Sequence, residues 1–172
     1  KSDLTCVAIS IGPGSFTGLR IGLATAKMLS YALSIPVVAV SSLEAMAYHY
    51  PVPGVYVASV LDAQKSNAYF ALYEWNGKDF DEKKQTCVMD FEEVVKYCST
   101  LDKPVVFVGD IAQKKADIIA QYENVSLGLP HLCMPRASNV AMAAKARFEN
   151  EDYDNIMDLE PVYIRRSEAE VL

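Results

Sequence analysis

Residues 7–33 read VAISIGPGSFTGLRIGLATAKMLSYAL, and this stretch decides the fold of the N-terminal part of the chain. The apolar run at 7–11 predicts a short strand, and apolar and small residues recur at helical spacing after the glycine-rich turn at 12–18. Ser15 is the expected N-cap of that helix because its hydroxyl can accept a hydrogen bond from a free backbone N–H, and Thr17 is the competing candidate. The stretch therefore predicts a strand, a tight turn and a long helix.

A glycine-rich turn before a helix has two uses. Free N–H groups at a helix start can bind an anion, whereas glycine can simply allow the backbone conformation of a tight βα connection. A P-loop needs Lys-Ser/Thr after its last glycine, and the dinucleotide pattern is one residue shorter than this turn. The spacing therefore favours a structural turn over a nucleotide cradle. If an anion or nucleotide does bind, the candidate contacts are Gly12, Gly14, Ser15, Asp62 and Gly109.

The predicted helix carries a stripe of small residues. Gly18, Gly22, Ala26 and Ser30 recur at every fourth position, and two glycines inside a helix cost roughly 1 kcal/mol each relative to alanine. Close approach of another backbone usually compensates such a cost. The stripe is therefore expected to pack tightly inside its own domain or to receive the helix of a partner. Arg20 lies near the helix start, where the dipole disfavours a cation, so an acidic partner group fits there.

Composition narrows the functional classes. The 172 residues are 51% hydrophobic, the net charge is −6, and the sequence pI is about 4.9. Such an acidic chain is not expected to bind a nucleic acid backbone alone, since that binding depends on clustered Lys and Arg. The four cysteines form no Cys-x-x-Cys pair and only two histidines are present, so we expect no metal site and reduced thiols in the cytoplasm. Because the chain starts at Lys1 just before a core-type strand, we also expect a fragment.

The rest of the chain predicts a mixed α/β organisation. A strand at 37–40 and a helix at 43–50, opened by the capping box at 41–44, extend the first unit with parallel strands. A Pro- and Gly-containing break at 51–54 then predicts two subdomains, 1–50 and 51–172. The last predicted helix and the tail belong to the second range but could cross back to the first subdomain. The further predictions are strands at 55–61, 67–75, 78–89, 104–108 and 125–127, and helices at 91–98 (capped by Asp90), 111–122 and 138–150 (capped by Ser138), with Asn76-Gly77 as a hairpin turn.

No catalytic set emerges from the sequence. Ser15 is not in a Gly-x-Ser-x-Gly elbow, and neither His49 nor His131 has a motif that ties it to a nucleophile. Asp62 at a strand end could bind Mg²⁺, but acidic residues in polar turns are usually solvated. A binding or scaffold role is therefore favoured over an enzyme.

At this point the motifs resemble those of a known family. GPGSFTGLRIGLATAK at 12–27, Ile35-Pro36 and VSSLEA at 40–45 resemble the bacterial TsaB (YeaZ) family. Asp62-Ala63, Gly109-Asp110 and EPVYIR at 160–165 match the later landmarks of that family. The resemblance extends over nearly the whole chain.

The resemblance implies an actin-like (hexokinase/Hsp70-type) α/β fold of two subdomains and a role in making threonylcarbamoyladenosine on tRNA. It implies a non-catalytic scaffold subunit, without a cofactor of its own, that pairs with the metal-carrying catalytic subunit TsaD and is assisted by the ATPase TsaE. It also implies tRNA contact only through the complex, a homodimer when alone, and no membrane association. The helix after the glycine-rich turn then becomes the expected partner surface, with Gly18, Arg20, Gly22, Leu23, Ala26, Lys27 and Ser30 as its residues.

Two departures from the family pattern bear on these expectations. The family begins with a phosphate-loop-like hairpin, further strands and a helix before the residue that matches Lys1, and the turn after Ala63 commonly carries arginine where this chain has Gln64-Lys65. The absence of a metal cluster argues against the protease activity once ascribed to the family. The alternatives are an actin-fold kinase or ATPase that uses the turn at 12–18, and a self-associating structural homodimer.

Overall fold

Two β-sheets organise the chain, in a computed structural model that describes residues 3–164. A parallel pair, β1 (Val7–Gly12) and β2 (Val37–Ser41), forms the small sheet. The second sheet contains β3 (Tyr56–Asp62), β4 (Asn67–Trp75), β5 (Phe80–Asp90), β6 (Val105–Val108) and β7 (Val125–Leu127), in the order β5-β4-β3-β6-β7. The helices are α1 (Phe16–Leu33), α2 (Ser42–Ala47), α3 (Phe91–Ser99), α4 (Asp110–Lys114), α5 (Ala116–Ile119) and α6 (Ala137–Glu149), with one 3₁₀ turn at Pro130–Leu132.

The strand, turn and helix predicted for residues 7–33 are confirmed. Ser15 caps α1, with its Oγ accepting a hydrogen bond from the Gly18 N–H at 3.3 Å, and Thr17 lies inside the helix. The helix ends at Ser34, which adopts the left-handed conformation with φ 52°. The predicted parallel pairing of β1 with β2 is also confirmed, with Val7 opposite Val37.

Both faces of the small sheet are covered by helices. On one face, Leu23 of α1 packs with Val37 and Ala39 of β2. On the other face, Val140, Ala143 and Ala144 of α6 pack against Val38 and Val40. The last helix within residues 3–164 therefore lies against the first two strands. The segment after it also contacts them: Asp154 pairs with Val37, and the Asp154 carboxylate accepts a hydrogen bond from the Ala39 N–H at 2.7 Å.

The five-stranded sheet contains the largest core. β3 pairs antiparallel with β4 and parallel with β6, and its side chains alternate between two buried faces. Ala58 and Val60 pack with Phe91 and Phe107 on one face. Val57 packs on the other face with Leu43 and Met46 of α2. Because Ala45 of α2 packs with the small sheet and α6, this short helix joins the two sheets.

Several predicted boundaries differ from the observed ones, and the largest differences are in the helices. α2 ends at Ala47 rather than at residue 50. The residue before a proline is disfavoured in the helical region, which excludes Tyr50 from the helix. The helix predicted at 111–122 breaks at Lys115, whose φ of −120° and ψ of 36° interrupt the helical backbone between α4 and α5. The cap of α6 is Arg136 rather than Ser138, which lies within the helix.

The hairpin predicted at Asn76-Gly77 is confirmed, although its second strand begins at Phe80 rather than at residue 78. Asn76 Oδ1 accepts hydrogen bonds from the backbone N–H groups of Lys78 and Asp79, and Gly77 has φ 100°. The Asn side chain and the glycine together close the turn.

Candidate functional site

A cleft of about 740 Å³ lies where the β1–α1 turn faces the ends of β3 and β6. One wall comes from the turn and the start of α1, and the opposite wall from the β3–β4 turn and α4. The last described residues of the chain lie along its edge. The lining includes Gly14, Ser15 and Phe16 on the first wall, Asp62, Gln64, Tyr69 and Asp110 on the second, and Val162, Tyr163 and Ile164 at the edge.

Three charged groups meet on the second wall of the cleft. Lys114 Nζ lies 2.8 Å from Asp62 Oδ2 and 3.3 Å from Asp110 Oδ2, so one ammonium bridges two carboxylates. Asp110 Oδ1 also accepts a hydrogen bond from the Asp62 N–H at 3.0 Å. The Lys114 ammonium, together with the Gln64 N–H that donates to Asp62, holds the pKa of the Asp62 carboxyl below its ordinary value. Asp62 is therefore an ionised, paired group rather than a poised proton donor.

The charge of the cleft opposes anion binding. Among the described residues that line it, the ionisable carboxylates are Asp62 and Asp110, and neither lysine nor arginine is a lining residue. Lys114 is already paired with both carboxylates. A phosphate would therefore meet net negative charge. The site lends no support to the kinase or ATPase alternative, because the Lys114 ammonium already occupies the space between the Asp62 and Asp110 carboxylates.

The two outer glycines of the predicted anion set lie behind the cleft. Gly12 and Gly109 are buried, and both have positive φ, 118° and 128°. A Cβ on Gly12 would be 2.9 Å from the Val162 carbonyl oxygen. Gly12 and Gly109 therefore act through backbone geometry, while Gly14, Ser15 and Asp62 line the cleft itself.

The small-residue stripe of α1 turns gradually from solvent into the core. An i, i+4 row on an α-helix advances by about 40° at each step, and the four positions pass from exposed Gly18 to buried Ala26 and Ser30. A Cβ on Gly22 would be 3.4 Å from Ile9 Cδ1 of β1. Ser30 Oγ donates to the Ile35 carbonyl at 2.6 Å. From Gly22 onwards the stripe therefore packs inside the chain, while Gly18 stays exposed.

This packing corrects part of the predicted partner surface. Leu23, Ala26 and Ser30 are 5%, 3% and 3% exposed, so their side chains are covered by the chain itself and offer little surface to another molecule. Arg20 is exposed and Lys27 is half-buried on the flank of α1. These two residues, with Gly18 and the half-buried Gly22, remain predicted partner contacts.

The opposite side of α1 carries large apolar side chains in solvent. Ile21, Met28 and Tyr31 are 64%, 65% and 75% exposed, and Ala24 is exposed between them. We name these four residues the α1 face. This face was not predicted from the sequence, because only the small residues of the helix were considered. Apolar residues on the other sides of α1 were nevertheless a signal, since a helix of that kind is usually covered on more than one side.

Sequence reasoning also missed the contacts of the tail with α1. Tyr163 stacks on Phe16 with ring centroids 5.1 Å apart, and its hydroxyl accepts a hydrogen bond from Arg20 Nε at 2.9 Å. The Val162 N–H donates to the Ile11 carbonyl at 2.8 Å. Arg165, the end of the predicted landmark at 160–165, lies outside the described residues.

Comparison with known proteins identifies the class and then the family. A family model described as "TsaD: tRNA N6-adenosine threonylcarbamoyltransferase" matches residues 1–172, which places the chain in the TsaD-type class. A tRNA threonylcarbamoyladenosine biosynthesis protein TsaB from Bacillus subtilis (strain 168) is 32% identical over 98% of this chain and 72% of its own length. Within that class, the chain belongs to the TsaB (YeaZ) family.

Further relatives agree with this placement. The TsaB protein of Escherichia coli (strain K12) is 27% identical over 98% of this chain and 74% of its own length. A Pseudomonas aeruginosa structure, described as an uncharacterized protein with similarity to peptidase YEAZ, matches with a TM-score of 0.77 at 24% identity, covering 95% of this chain and 75% of the other. That likeness shows a shared mixed α/β fold.

Proposed function

We propose that this chain is a scaffold subunit for the synthesis of threonylcarbamoyladenosine on tRNA, and that it binds a catalytic subunit of the TsaD type through α1. The relatives named TsaB carry this biosynthetic role in their names, which supports the first part of the proposal. The α1 face supports the second part. We further propose an actin-like fold and a cytoplasmic location; no helix within residues 3–164 is long and apolar enough to cross a membrane.

The α1 face is the observation that carries the proposal. Three large apolar side chains, Ile21, Met28 and Tyr31, are each more than 60% exposed on one side of one helix. Contiguous apolar surface of this kind marks interaction sites in soluble proteins. Its residues, with Ala24, recur at spacings of three and four, which suits helix against helix. Covering them would remove apolar area from water at about 25 cal/mol per Å².

In this proposal, threonylcarbamoyl transfer and ATP hydrolysis are carried out by the partner proteins. Within residues 3–164, no three His, Cys, Asp or Glu side chains lie close enough to hold a metal ion, and the two cleft carboxylates are bridged by Lys114. We therefore propose that the metal belongs to the TsaD-type subunit and ATP hydrolysis to a TsaE-type ATPase. With a net charge of −6, this chain is proposed to meet tRNA only within the complex.

The test compares two methionines on two helices. Met28→Asp places a charge on the α1 face, and Met142→Asp places the same charge on α6, where Met142 is 53% exposed. Binding to the TsaD-type protein of the same organism is measured by titration calorimetry, and the melting temperature of each variant by circular dichroism. We expect Met28→Asp to weaken binding by more than about a hundredfold, while Met142→Asp binds normally and both variants melt like the parent.

Two outcomes would overturn the proposal. Equal binding by the two variants would remove α1 from the interface. Threonylcarbamoyl transfer by the isolated chain, with contaminating TsaD-type protein excluded, would remove the scaffold role. Light scattering measures the mass of the chain alone and tests a third case. A homodimer that is lost in Met28→Asp, formed by a chain that does not bind the TsaD-type protein, would support the self-associating alternative and contradict the heterodimer.

A further inference from the structure

A narrow groove runs along one flank of α1, beside the α1 face. It has a volume of about 380 Å³ and lies between the helix and the segment at 159–163. Ala24 belongs to both the groove and the α1 face. A partner that covers the α1 face would therefore also close over this groove, which we name the Arg20 groove.

Two cations line the Arg20 groove. Arg20 and Lys27 are seven residues apart on α1, and two helical turns separate them by roughly 10 Å along the axis. Glu160 is the acidic residue among the described lining residues, and within residues 3–164 it forms no ion pair with either cation. The groove thus carries net positive charge on a chain whose overall charge is −6.

Arg20 is held in place by aromatic rings. Its guanidinium carbon lies 4.0 Å from the centroid of the Phe16 ring and 5.8 Å from that of Tyr163. Arg20 Nε donates to the Tyr163 hydroxyl at 2.9 Å. Among the described residues no carboxylate pairs with this guanidinium, so its terminal amino groups keep their donors for another molecule. A cation with its orientation already fixed loses less entropy on binding.

We propose that the Arg20 groove receives acidic side chains of the helix with which a protein partner covers the α1 face. This inference rests on the proposed function and names the chemistry by which the partner is recognised. A guanidinium presents a planar pair of donors to a carboxylate, and Lys27 offers a second, point-like cation two turns further on. Tyr163 is a positioning residue, because it acts through the orientation of Arg20.

The groove suits a protein better than RNA. Apolar surface adjoins the two cations directly, since Leu23 and Ala24 line the groove and the α1 face continues from it. Arginine beside exposed aromatic and aliphatic groups is typical of protein interfaces. Binding to a nucleic acid backbone depends on a larger cluster of basic residues, and the chain as a whole is acidic.

The first experiment measures affinity and salt dependence in the complex with the TsaD-type protein. The variants are Arg20→Gln, Lys27→Gln and the double change, and Lys78→Gln on the exposed hairpin turn removes the same charge elsewhere. We expect the double variant to weaken binding about 10- to 100-fold and to flatten the dependence of the association rate on NaCl, while Lys78→Gln changes neither. Tyr163→Phe keeps the ring and removes the hydroxyl, so we expect a smaller loss of affinity with the salt dependence retained.

The second experiment identifies the partner group directly. A carbodiimide joins a lysine ammonium to a carboxylate without a spacer, and mass spectrometry of the cross-linked complex locates the bond. We expect a product between Lys27 and an Asp or Glu of the partner, and we expect it to disappear in Met28→Asp, which removes the interface.

The outcomes separate this inference from the proposed function. If Met28→Asp abolishes binding but the double Gln variant binds with unchanged affinity and salt dependence and Lys27 forms no cross-link, the groove proposal is overturned and the α1 interface stands. If the double variant binds the partner normally and instead loses affinity of the assembled complex for tRNA, the groove is an RNA contact and the proposal is wrong. If the parent chain does not bind the TsaD-type protein, both proposals fall.

Discussion

Gly109 lies directly against the backbone of Val60. A Cβ built on Gly109 would be 1.7 Å from the Val60 carbonyl oxygen and 2.8 Å from its carbonyl carbon. This contact brings the β6–α4 turn onto β3, which places the Asp110 carboxylate on the Asp62 N–H. The geometry of the second wall of the cleft therefore depends on Gly109 having no side chain.

Gly109→Ala is expected to destabilise the fold by at least about 3 kcal/mol. The new methyl group would overlap the backbone, and φ is 128°, a conformation that costs an L-residue further energy. Gly54→Ala is the matched control, since Gly54 has φ 79° and no atom within 4 Å of a built Cβ. It should lose only about 1 to 2 kcal/mol. Urea denaturation measures both, and equal losses would contradict the role given to the Val60 contact.

The glycines of α1 are expected to respond in opposite directions. Gly22→Leu should lower stability by about 1 to 3 kcal/mol, because a Cβ there already touches Ile9 and the longer side chain overpacks the sheet. Gly18→Ala should raise stability by up to about 1 kcal/mol, since alanine is the better helix former and the nearest atoms, those of Ser15, are 3.4 Å away. Thermal denaturation tests both. A Gly22→Leu variant that melts like the parent would show that the stripe does not pack inside the chain.

The helix cap at Ser15 gives a prediction about α1 alone. Ser15→Ala removes the acceptor of the Gly18 N–H and should cost about 1 kcal/mol. Thr17 is the other N-cap candidate that the sequence offers. Thr17→Ala should leave the free energy of unfolding unchanged, because Thr17 lies exposed inside the helix. Equal effects in urea denaturation would argue against Ser15 as the cap.

Glu44 makes stability depend on pH. Burial, reinforced by the nearby Asp79 and Glu82, raises the pKa of the Glu44 carboxyl to about 7, while the Ser41 N–H and Arg147 act in the opposite direction. A carboxyl group with a raised pKa binds its proton more tightly in the folded chain, so stability falls as the pH rises from the ordinary value of 4.5 to about 7 and is level above it.

Glu44→Gln resembles the protonated form at every pH. Its free energy of unfolding should match that of the parent near pH 4 and exceed it by about 3 kcal/mol at pH 8. Glu92→Gln, in the first turn of α3 and exposed, is the control and should show no such growing gain. A gap between Glu44→Gln and the parent that stays constant from pH 4 to pH 8 would contradict the raised pKa.

The bridging lysine makes a prediction about the cleft. Lys114→Met keeps the length of the side chain and removes the ammonium that pairs with Asp62 and Asp110. The pKa of the Asp62 carboxyl should then rise towards its ordinary value, because Lys114 is the largest cause of its depression. Titration of the side-chain carbonyl by NMR measures this change, with Lys96→Met on the exposed side of α3 as the control. An unmoved Asp62 titration would mean that the ion pair is absent in solution.

Local signals were sufficient to predict most elements of the fold. Ser15 and Asp90 cap the helices that follow them, and Asn76-Gly77 closes the hairpin. Each of these features depends on atoms a few residues apart, so the residue types predict the structure directly. The apolar strands of both sheets were predicted for the same reason, with no strand end wrong by more than two residues.

The sequence by itself determined the family, the order of the elements and the residues of the glycine-rich turn. Only the tertiary structure decided which side of α1 is free, because the drift of an i, i+4 row around the helix carries the small residues into the core and leaves Ile21, Met28 and Tyr31 outside. It also brought Arg20 to Tyr163 across 143 positions, and Lys114 to Asp62 across 52. Such pairs depend on how the sheets and helices pack, and no spacing along the chain encodes them.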